Sequence, residues 1–148
     1  MYRKLIPFVV VVAMCACAVT YYPTQDSFTV RGLEALQKTT DSFYVKAAGA
    51  LHGGEKLDSA EIEGFYITAE RQVGMLLTRA ETFLHNKEMV NGLKLLRDNF
   101  QLAAELHSQG FNSELEIGLV RELLASQFRA LLSLERAKPL PGEMQCQD

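Results

Sequence analysis

Histidine is the first residue type to test for metal or acid–base chemistry, and this chain has three. His85 stands four residues after Glu81, a spacing that sets both side chains on one helix face. Di-metal sites inside helical bundles take a Glu-x-x-His step from two helices and a further Glu from two others. Neither His85 nor His107 has a Glu three residues before it, so that ligand set is not assembled and no metal is expected. His52 and His85 fall beside the ends of helical segments, where imidazole meets the last carbonyls and the helix dipole. His107 falls on or beside an apolar seam and is expected to border the core.

Nucleophilic chemistry finds no better footing. Ser113 reads as a helix cap, Ser126 and Ser133 lie mid-helix with no His nearby in sequence, and no Gly-x-Ser-x-Gly elbow occurs. The carboxylate pairs Glu61/Glu63 and Glu114/Glu116 fall in first helical turns, where they favour the positive end of the dipole. There is no Cys-x-x-Cys-His haem attachment sequence, and Met75 and Met89 sit at helical spacing as core filler. The run Gly53-Gly54-Glu55-Lys56 reads as a turn rather than a phosphate loop. The expectation is a non-enzymatic chain without a cofactor.

The cysteines point elsewhere. Arg3 and Lys4 precede an apolar run over residues 5–18 that is too short to span a bilayer as a helix, which needs about 20 apolar residues. A positive start followed by such a run has the form of a secretory signal. Met14-Cys15-Ala16-Cys17 then resembles the cleavage box of bacterial lipoproteins, in which a small residue precedes the lipidated cysteine. The resemblance covers about the first 18 residues and says nothing of the folded part. It implies removal of residues 1–16, a diacylglyceryl group on the Cys17 sulfur and a further acyl chain on its freed amino group. Two or more chains give stable anchoring where one gives marginal binding. The box departs from the family pattern at Met14, where Leu is usual, and at Cys15, where a small residue is usual. Ala18 stands where Asp often marks inner-membrane retention, so the resemblance implies an outer-membrane anchor facing the periplasm if the source is Gram-negative. Simple cleavage after Ala16 or Ala18, and an uncleaved anchor extended through residues 19–22, stay open. With Cys17 acylated, Cys146 is left as a single thiol, either free or bridged to a second chain.

Removing the signal also changes the charge. The formal value of −3 becomes −5, because 13 of the 15 basic residues and all 18 acidic ones remain. Nucleic acid is then not an expected partner, since phosphate binding needs clustered basic surface.

Four segments with helical period must position whatever remains. Leu33, Leu36, Thr40, Phe43, Ala47 and Leu51 recur at steps of three and four before Gly53-Gly54. Asp58 caps a second segment, with Glu61 three residues on, whose Ile62, Tyr66, Ala69, Val73, Leu76, Ala80 and Phe83 form an unbroken heptad seam. Asn86 stands at the head of a third, through Met89, Leu93, Leu96, Phe100 and Ala103, although the join is weakly marked and allows one long helix. Ser113 and Glu116 make a capping box for a fourth. It runs through Ile117, Val120, Leu124, Leu131 and Leu134, with Leu119, Leu123, Phe128 and Leu132 widening its apolar face. Lys138-Pro139 closes it. No stretch reads as strand.

These segments predict an all-α, up-down-up-down four-helix bundle over residues 27–137. A tether over 17–26 precedes it, and a flexible tail over 138–148 follows. The nine residues 18–26 reach about 30 Å at full stretch, which keeps the bundle close to the membrane. Gly49, Gly64, Gly74, Gly92 and Gly118 fall inside helices, where each costs about 1 kcal/mol against Ala. Close packing within the bundle, or a face flattened for a partner chain, would offset that cost. The functional expectation is a lipid-anchored helical module that docks another envelope protein or itself, with Phe65, Leu77 and Phe111 as exposed contact residues off the seams. The alternative is a small-ligand or cofactor carrier built between the helices.

Overall fold

Asp26 turns an extended entry segment into helix. Its carboxylate accepts from the Phe28 and Thr29 amides at 3.3 and 3.2 Å, satisfying donors that the first turn leaves unpaired. A computed structural model describes residues 23–142, and from this cap it builds α1 (Ser27–His52), α2 (Ser59–Glu81), α3 (Lys87–His107) and α4 (Glu114–Arg136). No strand occurs among the described residues. The signal, Cys15, Cys17 and most of the tether precede them, and Cys146 follows them.

The stops obey the expected chemistry. Gly54 takes φ +75° after α1, a conformation that side chains resist. Ser113 Oγ accepts from the Glu116 amide at 3.1 Å to open α4. The join between α2 and α3 is a true break in which His85 adopts φ +58°, rare outside glycine. Asn86 heads α3 but makes no side-chain cap. Its Nδ2 instead donates back to the Ala80 carbonyl at 3.0 Å and bridges the break.

Each helix packs on its neighbours in sequence, and α4 closes the ring against α1. The α1–α4 and α2–α3 contacts are the most extensive, and the diagonal helices meet through side chains across the core, as where the Tyr44 ring of α1 packs edge-on to His107 of α3. Cross-helix partners set the directions. Lys46, late in α1, reaches Glu61, early in α2, and Gln101 of α3 reaches Glu70 of α2. Glu34, early in α1, receives Arg136 at the end of α4. The bundle is therefore up-down-up-down, with one pole at the chain entry and the other at the α1–α2 and α3–α4 links.

Inside lie the expected seams: Leu33, Leu36, Phe43 and Ala47; Ile62, Tyr66, Val73 and Leu76; Leu93, Leu96 and Phe100; Ile117, Leu124 and Leu131. Contacts at the two ends join the residues just before α1 to those just after α4. Gln25 N–H donates to the Pro139 carbonyl at 2.8 Å, and Asp26 N–H donates to Glu135 Oε1 at 2.8 Å. Lys138 Nζ donates to Glu135 Oε2 and Asn86 Oδ1 at 2.5 and 2.7 Å. The last tether residues and the first tail residues are thus fastened to the bundle, because buried polar groups there need each other as partners.

Candidate functional site

Two features stand out, one buried and one exposed. The buried one begins with Tyr44 on α1, whose hydroxyl lies 2.8 Å from that of Tyr66 on α2. Tyr66 in turn hydrogen-bonds His107 Nδ1 at the end of α3. His107 is fully buried, and its Nε2 faces Glu116 Oε1 of α4 at 3.3 Å without the alignment of a hydrogen bond. Asn112 Nδ2 donates to the other Glu116 oxygen at 3.1 Å. One polar chain thus crosses all four helices near the far pole.

Aromatic rings wall it in. Phe43 and Phe65 stack at 3.7 Å, and Phe111 lies 4.4 Å from the His107 ring. Burial in this wall sets the charges. It pushes the Tyr44 hydroxyl up to about 12, and the Tyr66 hydroxyl further, aided by Tyr44 and Glu116. Burial lowers His107 and outweighs the opposing pull of Glu116. A neutral imidazole facing a carboxylate carries its proton on Nε2, so Nδ1 accepts from Tyr66 and Tyr66 accepts from Tyr44. Neither tyrosine supplies a phenolate near neutrality. The arrangement fixes the registry of four helices, and Glu116 is its link toward solvent.

The exposed feature lies between α3 and α4. Gly92 faces α4, where a Cβ would come within 2.5 Å of Leu131 Cδ2. From Gly92, steps of three and four carry one stripe of α3 through Leu95, Asn99, Leu102 and Leu106. From Leu131, steps of four back along α4 give Gln127, Leu123 and Leu119. These five leucines are 47–63% exposed. Leu119 and Leu123, expected to widen the core face of α4, therefore point outward, because they stand about 100° or more around the helix from the buried Leu124.

Ionic contacts set this flank apart. Lys46–Glu61 bridges α1 and α2, Lys94–Glu81 bridges α2 and α3, and Arg121–Asp41 and Arg136–Glu34 bridge α1 and α4. Between α3 and α4 the described residues make no contact between fixed opposite charges, and the buried neutral His107 faces Glu116 there. The two stripes contain no ionisable side chain.

Phe65, Leu77 and Phe111 are placed differently from their expected exposure. Leu77 is buried at 7%, and Phe65 and Phe111 are half-buried against the core. A position one step off the seam is still inside wherever a neighbouring helix covers it. Cys17 and Cys146 lie outside the described residues. Among the described residues no group of His, Cys, Asp and Glu could hold a metal, and no helix is long and apolar enough to cross a membrane. A cavity of about 230 Å³ opens at the far pole between Ala47, Leu51, Leu57, Ile62 and Phe111. No protein-family model, no curated protein and no solved structure matches this chain.

Proposed function

We propose that this chain is a non-catalytic helical interaction module held at a bacterial envelope membrane by lipid on Cys17, facing the periplasm from the outer membrane if the source is Gram-negative. The observation that carries the reading is the charge-free leucine face of α3 and α4. Five half-exposed leucines on two adjacent helices offer on the order of 500 Å² of apolar surface, within the range where the largest patch on a soluble protein is often functional. The remaining flanks are laced with ion pairs that suit solvent. A tether entering at one pole leaves this face lateral to the membrane, where a neighbour can reach it.

The carrier alternative would use the far-pole cavity of about 230 Å³. Pockets that enclose small ligands usually run from about 300 Å³ upward, which this cavity does not reach. A larger hollow of about 630 Å³ beside Phe28, Gly74, Met75 and Thr82 lies open on the surface of α2 and encloses nothing. The lack of an enclosed pocket of that size among the described residues favours the interaction reading. Two measurements test it. Labelled palmitate should enter the wild-type protein and not Cys17→Ser, which should leave the membrane fraction. Leu102→Glu with Leu119→Glu should abolish association at unchanged helicity. Membrane retention of Cys17→Ser without label, or association untouched by the double variant, would overturn the anchor or the face respectively.

A further inference from the structure

The leucine face has a shape and chemistry that narrow its occupant, and we infer that it pairs with the same face of a second copy of this chain. The inference rests on the interaction reading above and names its partner.

Charge is the first argument. Without its signal each copy carries −5, so two copies repel over most of their surfaces. The stripes Leu95–Asn99–Leu102–Leu106 and Leu119–Leu123–Gln127 hold no ionisable group, and there two acidic copies can meet without opposing like charges. A basic partner would find nothing to pair with on this face.

Area is the second. A stable interface needs about 800 Å² from each partner. The five leucines supply on the order of 500 Å² of it. Val120 and Leu134, both partly buried, and the exposed Ala130 continue the apolar surface along α4. Asn99 and Gln127 interrupt it without adding charge, and the Gln127 Oε1 is turned inward out of solvent. A face of this composition is self-complementary, as a two-fold interface requires.

Geometry is the third. Both copies enter from the same pole, so a two-fold axis parallel to the helices keeps both entry segments on one side. The stripes run along the helices, which is the orientation such an axis needs. Two copies tethered in one leaflet also share a raised effective concentration, so modest intrinsic affinity suffices.

Site-directed crosslinking of the full chain in its native membranes tests this. In a Cys146→Ser background, single Leu102→Cys, Leu119→Cys and Ile67→Cys variants are treated with a bis-maleimide. Ile67 is as exposed as the leucines, at 49%, but lies on α2. Leu102→Cys and Leu119→Cys should give covalent dimer at least about tenfold above Ile67→Cys and the background chain, the margin of a specific contact over random encounter. Adding Leu95→Glu to the Leu119→Cys chain should remove that dimer. Equal dimer at all three positions overturns the inference. Crosslinking of the two face cysteines to a product heavier or lighter than a dimer overturns the second copy while leaving an interaction module intact. No product of any mass from the face overturns both.

Discussion

Arg79 grips Asp26 through Nε and Nη2 at 2.6 and 2.8 Å, while the same carboxylate caps α1. One side chain thus holds the start of α1 to the end of α2. The Arg79 hydrogen bonds hold the Asp26 carboxyl well below the usual carboxylate range, against the opposing effect of burial.

A carboxyl lowered in the folded state contributes stability above its unfolded value, about pH 4, and loses it as pH falls further. Asp26→Ala should cost about 2 kcal/mol in urea unfolding at pH 7, from a lost cap and a half-exposed ion pair. Arg79→Met should flatten the loss of stability below pH 4. An unchanged acid limb in Arg79→Met would remove Arg79 as its cause.

His107 controls a different window. Its folded value lies below the ordinary 6.5, so the unfolded chain binds the proton more readily. Stability should therefore fall as pH drops below about 6.5, well above the Asp26 window. His107→Gln should remove that slope between pH 7 and 5. Tyr66→Phe should cost about 1–3 kcal/mol at pH 7, because it leaves His107 Nδ1 without a donor inside the bundle. Thermal melts across the pH series would expose either error.

Leu77 and Leu102 separate folding from docking. Leu77→Ala opens a void in the core and should cost about 2–4 kcal/mol. Leu102→Ala removes a side chain 61% exposed and should shift stability by less than about 0.5 kcal/mol while weakening association. Chemical denaturation of both variants beside crosslinking yield is the required comparison.

The helical glycines divide in the same spirit. A Cβ at Gly64 or Gly118 would meet nothing within 4 Å, whereas one at Gly92 would meet Leu131. Gly64→Ala and Gly118→Ala should each add about 1 kcal/mol. Gly92→Ala should gain less, since Leu131 has to move. Equal gains at all three sites would deny close packing at Gly92.

The helices were legible because their seams repeat at three and four and their ends carry Asp58, Ser113 and glycine, whereas Asp26, read as tether, emerges as the cap of α1 only in the fold. Which flank of each seam is covered was not. Phe65 and Leu77 flank the α2 seam on opposite sides and are sheltered by close neighbours. Leu119 and Leu123 lie further round α4 from its seam and are open. Helical period sees one helix at a time, whereas cover depends on how far away the next one lies. Glu116 was readable as the fourth residue of a capping box, and Ser113 does cap its amide. Its carboxylate turns to His107 and Asn112 instead, a choice made by a buried imidazole that arrives from α3.

The fastening of Gln25 to Pro139 and of Asp26 to Glu135 bears on load. A pull on the entry segment is met first by the far end of the chain, so tension passes into the last turn of α4 before α1 can unwind. Arg79 spreads it further into α2. For a bundle pulled from its N-terminal end, those bonds form a mechanical clamp at the point of entry. The loops of the opposite pole lie outside the path of the force.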